Sequence, residues 1–171
     1  MGNFLTKSFK RVAVNTAKGA AKTFVVGATA NMIAKLLGLD DSLVGRVLMV
    51  GIPMMMVAGS EDPGIGGRLF GNSKKKDKKN RRKDRKEAEE EYFNVFGDKG
   101  HAMNKAIAEE TGATEDEVNG IMSLFLPEFE DAIAEEDLED EGAMRKLFKR
   151  ETDDAKKKSP GFARMAMKVV F

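Results

Sequence analysis

IAKLLGLDDSLVGRVLMVGIPMMMVAGSE (Ile33–Glu61) and IAEETGATEDEVNGIMSLFLPEFEDAIAE (Ile107–Glu135) carry one pattern twice, 74 residues apart. Ile33, Ala34, Gly38, Val44, Pro53, Ala58 and Glu61 recur as Ile107, Ala108, Gly112, Val118, Pro127, Ala132 and Glu135. Between them the substitutions are conservative, with Val47 on Ile121, Leu48 on Met122 and Ile52 on Leu126. In both copies glycine and proline stand fifteen residues apart. Each copy reads as a short helix ended by a glycine that can take the left-handed cap conformation. Asp40 or Thr114 then opens a second helix, and Thr114 with Glu117 makes a capping box. Proline in the middle of that helix removes one backbone hydrogen bond and bends it. Gly38, Pro53, Gly112 and Pro127 are therefore the structural positions. No run alternates with period two, so strands are not expected and the fold class is all-α: two helix–turn–bent-helix repeats.

The copies differ after the proline. Beyond Pro127, Phe129, Ala132 and Ile133 read as inward, and Glu128, Glu130 and Asp131 as outward. Beyond Pro53 the chain reads Met54, Met55, Met56, Val57, Ala58, apolar on every side. Such a helix must be covered all round, by the rest of the chain or by another molecule. Methionine makes adaptable contacts, and Met54, Met55, Met56 and Val57 are the candidate partner interface.

Outward from the repeats, the charge is segregated. The net charge of +1 divides into +12 over residues 1–86, −17 over 87–144 and +6 over 145–171. Asymmetry of this size speaks of partners or self-association rather than of fold. The division gives a basic amphipathic N-terminal helix (1–27), a first repeat (28–62) and a glycine-rich, then basic and acidic linker (63–91). An acidic second repeat (92–141) and a basic C-terminal segment (142–171) follow. After Ser159-Pro160-Gly161 that last segment is expected to dock as a further short helix.

The densest cationic run is KKKDKKNRRKDRK, holding Lys74, Lys75, Lys76, Lys78, Lys79, Arg81, Arg82, Lys83, Arg85 and Lys86. It reads either as a solvated linker, helical where cations meet carboxylates at i,i+4, or as an arm for a polyanion. No aromatic residue interrupts it, so base stacking is not suggested. At the other basic end, no acid occurs before Asp40. At 100° per residue Lys7, Lys10, Arg11, Lys18 and Lys22 share one face of a helix, and Leu5, Phe9, Val12, Thr16 and Ala20 the other. That helix suits an anionic surface. Gly2 with Thr6 fits the short pattern for N-myristoylation. The apolar run Val47–Ala58 is shorter than a bilayer requires, and no secretory signal is evident.

Several chemistries lack their residues. With no cysteine, one histidine (His101) and one tyrosine (Tyr92), thiol catalysis, disulfides and multi-histidine metal sites are excluded. GGRLFGNS (Gly66–Ser73) has the glycines of a phosphate loop but Asn72 where lysine is needed. Asp137, Glu139 and Glu141 echo a calcium loop whose twelfth position is Phe148. An enzyme is not expected, nor a cofactor, a metal or a small-molecule substrate.

Three resemblances follow from these residues. Ala108, Gly112 and Val118, and equally Ala34, Gly38 and Val44, resemble a DNA-binding helix-turn-helix. The 14 acids and absent Lys or Arg between Glu109 and Glu141 would repel a phosphate backbone from the second copy. MNKAIAEETGATEDEV (Met103–Val118) is similar to the opening helices of histone-like nucleoid proteins. The turn glycines followed by SLFLPEF and VGIPMMM resemble the YidB-like family of small bacterial helical proteins, over Ala30–Ser60 and Phe96–Glu135. That resemblance implies a helical fold and leaves the role open.

The sequence thus leads to a non-catalytic structural or accessory subunit in a larger assembly, partnered by other chains or by itself. The first alternative is a peripheral adaptor that binds anionic membrane or nucleic acid through residues 3–24 and 74–86. A virion structural protein is the second. The expected place is the cytoplasm or a membrane's inner face.

Overall fold

A computed structural model describes residues 13–15, 24–26, 28–75, 84–158 and 160–170. Two short strands come first, β1 (Ala13–Asn15) and β2 (Phe24–Val26), paired antiparallel with Ala13 opposite Val26. Eight helices follow among the described residues: α1 (Ala28–Leu37), α2 (Asp41–Glu61), α3 (Pro63–Ser73) and α4 (Arg85–Phe96). The rest are α5 (Asp98–Thr111), α6 (Glu115–Glu135), α7 (Glu141–Lys158) and α8 (Pro160–Val170). The fold is all-α but for the small ribbon.

Local chemistry accounts for the helix boundaries. Gly38 (φ 66°) and Gly112 (φ 79°) take the left-handed conformation that ends α1 and α5. Asp40 accepts the Ser42 N–H at 2.8 Å to open α2. At α6 the capping box closes both ways, Glu117 N–H to Thr114 at 3.1 Å and Thr114 N–H to Glu117 at 3.0 Å. Both helices run for 21 residues with a proline inside, and their bounds lie 74 residues apart.

Two expectations are corrected. A continuous amphipathic helix over residues 1–27 does not form, because Ala13–Asn15 and Phe24–Val26 are strands. Val14, Phe24, Val25 and Val26 are β-branched or aromatic, which suits a pleated ribbon better than a helix. Nor is the glycine-rich stretch a linker: Pro63–Ser73 is helix α3. Asp62 accepts from the Gly64 and Ile65 N–H groups, Pro63 occupies the first turn, and Ile65 and Leu69 are buried. The expected C-terminal helix is α8, packed against α2, α5 and α7.

Helix α2 is the axle of the bundle. It packs most extensively against α7 and also meets α1, α3, α5, α6, α8 and strand β2. From Gly51 to Gly59 every residue is buried. By length and composition α2 would also suffice to cross a bilayer, since the helix extends past the apolar run Val47–Ala58 at both ends. Within this fold it is core: 67% of its most apolar window is buried inside the chain.

Asp62 ties three helices: its backbone N–H donates to the Ala58 carbonyl at the end of α2, and its carboxylate caps α3 and pairs with Lys99 of α5 at 3.2 Å. Partial burial would raise this carboxyl, but the Ile65 N–H and Lys99 outweigh it and hold it below the usual carboxylate value. A depressed folded value means stability that is present above about pH 4 and lost as pH falls further. Asparagine at this position still caps but carries no charge. Asp62→Asn is therefore expected to lower the urea midpoint at pH 7, with the gap to the parent chain closing by pH 2.5. Urea titrations across that range would measure it; a constant gap would deny the ionic contribution.

Candidate polyanion-binding surface

The basic run joins α3 to α4, and its two described ends behave differently. Lys74, just past α3, is exposed; its Nζ donates to the Leu138 carbonyl at 3.1 Å and lies 5.1 Å from the Phe70 ring centroid. Lys75 and Lys86 are exposed. Arg85 is committed within the chain. Its Nε meets Glu89 at 2.7 Å, one turn on, and its Nη2 meets the Asp116 carboxylate at 2.9 Å and carbonyl at 3.0 Å. Glu89 foremost, then Asp116, raise the Arg85 guanidinium above its ordinary value against partial burial. Arg85 thus leaves the polyanion set: it is a clasp between α4 and the start of α6. This end of the run is helical, with Asp84 as its cap and the i,i+4 pair of cation and carboxylate in its first turns.

Lys76, Lys78, Lys79, Arg81, Arg82 and Lys83 lie outside the described residues, as do Lys7, Lys10, Arg11, Lys18 and Lys22.

The candidate partner interface is corrected. Met54, Met55, Met56 and Val57 are each 0% exposed, and no surface of theirs faces outward. A helix apolar on every side had to be covered, and the chain covers it with its own helices. One acid of the second copy is also drawn inward: Glu130 is buried because its neighbours four back and three on, Leu126 and Ile133, line the core.

Sequence reasoning missed a polar chain across α4, α5 and α6. The Tyr92 hydroxyl donates to Asn104 Oδ1 at 2.9 Å, and Asn104 Nδ2 donates to Asn119 Oδ1 at 3.2 Å. Burial pushes the Tyr92 phenol well above its ordinary value, so it serves as a neutral hydrogen-bond donor. Only Asn119 of the three reaches partial exposure. Such a chain fixes helix register; nothing in the sequence marks polar residues at these spacings as mutual partners. His101 is exposed in the first turns of α5 and stacks on Phe93, with ring centroids 4.2 Å apart.

Among the described residues, no three His, Cys, Asp or Glu converge as metal ligands. An open cleft of about 250 Å³ lies between α5 and α8, lined by Ala106, Glu109, Glu110, Gly161, Arg164 and Met165. Two acids and one guanidinium are its charged lining groups. Comparison with family models, curated proteins and solved structures returned no match.

Proposed function

We propose that this chain is a non-catalytic adaptor that binds an anionic surface through its basic segments, residues 3–24 and 74–86. The observation that carries the reading is the inward commitment of α2. With its methionines in the core, the interactions left to the exterior are mainly those of charge, and the densest charge is the run between α3 and α4. Lys74, Lys75 and Lys86 are exposed at its edges. Clustered cations bind anionic leaflets at about 1 kcal/mol each near the surface, and bind nucleic acid with a steep salt dependence.

The test replaces Lys74, Lys75, Lys76, Lys78 and Lys79 with glutamine in the full chain. Binding to vesicles containing phosphatidylserine, or to duplex DNA, is expected to fall at least about tenfold at 0.1 M salt. An unchanged melting temperature would confine the effect to the surface. Undiminished binding to both ligands would remove the run from the function.

Membership in a larger assembly is a second reading, favoured by one feature. Met32 and Leu36 are 40% and 65% exposed, one turn apart on α1. Two side chains form a small patch, so this contact would supplement the charged surface rather than replace it. Kinship with the YidB-like family is proposed on the same helix-turn-helix units, each with its turn glycine and interior proline.

A further inference from the structure

We propose that the outer face of α7 is a second cationic surface, and that it lies on an anionic lipid bilayer. The proposal extends the adaptor reading and rests on it for the class of ligand, but its residues are separate from the run at 74–86. At 100° per residue, Lys146, Lys149, Arg150 and Lys157 fall within an arc of about 100°. All four are exposed, while Met144, Phe148, Glu151 and Thr152 on the opposite side are buried. The cations spread over about 16 Å of helix. Asp153 is the one acid inside the arc, half-buried.

The fold does not use these cations, as it does several others. Arg68 donates to the Val95 carbonyl, Lys99 pairs with Asp62, and Arg145 donates through two nitrogens to the Ser60 carbonyl. Lys146, Lys149 and Lys157 have no such partner among the described residues. Arg150 has only a 4.0 Å approach to Glu151, and its side chain is 67% exposed. Exposed charges carried without an internal partner are available to an external one.

The neighbouring helix selects lipid over nucleic acid. To the α7 cations the adjoining helix α8 adds Met167, which is 56% exposed, while its Arg164 lines the cleft with Glu109 and Glu110 of α5. A bilayer surface takes both, the cations among its headgroups and the thioether side chain among the upper acyl carbons. A duplex backbone would take only the cations.

The test uses the full chain with Lys146, Lys149, Arg150 and Lys157 all replaced by glutamine. Vesicles of phosphatidylcholine with phosphatidylserine, vesicles of phosphatidylcholine alone, and duplex DNA are the probes. Partition onto the serine-lipid vesicles is expected to fall at least about tenfold, with melting unchanged. Met167→Ser is expected to weaken vesicle binding about threefold to tenfold and leave DNA binding as it was. Vesicle binding equal to that of the parent chain overturns the proposal, and so does a loss confined to DNA. If only the 74–86 glutamine variant loses vesicle binding, the adaptor reading stands and the α7 surface falls. If only the α7 variant loses it, the run at 74–86 is the part that fails.

Discussion

Met55→Glu is expected to leave the chain without a stable fold at 25 °C. Met55 sits two residues past Pro53 in the helix that the rest of the bundle surrounds, and none of its surface reaches solvent. An unpaired carboxylate there loses its hydration with nothing to replace it, a cost of several kcal/mol even after relaxation. Domains of this kind have about 5–15 kcal/mol of stability in all. Met55→Leu keeps volume and polarity and is expected to cost less than about 1.5 kcal/mol. Far-UV circular dichroism with thermal melts on both variants would measure the contrast. If Met54–Val57 faced a partner instead, the isolated chain would accept the charge and melt as the parent does.

Phe148→Ala is expected to remove about 3–5 kcal/mol. Phe148 is fully buried on α7, and its ring centroid lies 5.7 Å from that of Phe129 on α6. The same ring fills the space where Gly59 of α2 has no side chain: a Cβ there would stand 3.1 Å from it. One ring therefore joins three helices, and its loss opens a cavity that all three border. For a chain of this size each kcal/mol lowers the melting temperature by about 2–4 °C, so a fall of about 6–20 °C is expected. Calorimetry would record it. A shift below 2 °C would mean that the helices close over the gap.

The repeated stretches were the most legible part of the sequence because every signal in them is local. A glycine that needs positive φ, a capping carboxylate or hydroxyl two residues on, and a 21-residue apolar pattern report helix ends without knowledge of the rest. The N-terminal ribbon was not legible. Its lysines fall on one face of a helical wheel, yet three-residue strands are too short to display an alternating pattern. Helix α3 was hidden by its glycines, which argue for a loop by propensity; Asp62 and the buried Ile65 and Leu69 override them.

For the candidate surface, composition found the cations but not their employment. Arg85 and Lys86 are adjacent in the same run, and one is clasped by Glu89 and Asp116 while the other is free in solvent. That distinction depends on a helix beginning 30 residues later. Likewise the period of α7 shows which face is buried, but not that the face lies on α2, where Arg145 reaches a carbonyl 85 residues back.

The pairing of α2 with α7 has a consequence for the order of events at the ribosome. Between the end of α2 and the end of α7 lie 97 residues. At ordinary elongation rates their synthesis occupies about 5–20 s. Through that interval the nascent chain displays a 21-residue apolar helix whose largest cover has not yet been made. In length and hydropathy it matches what insertion machinery accepts as a membrane span. Helices α1, α3, α5 and α6 are made before α7 and α8, which complete the enclosure, so the last part of the gene finishes the burial of its first third.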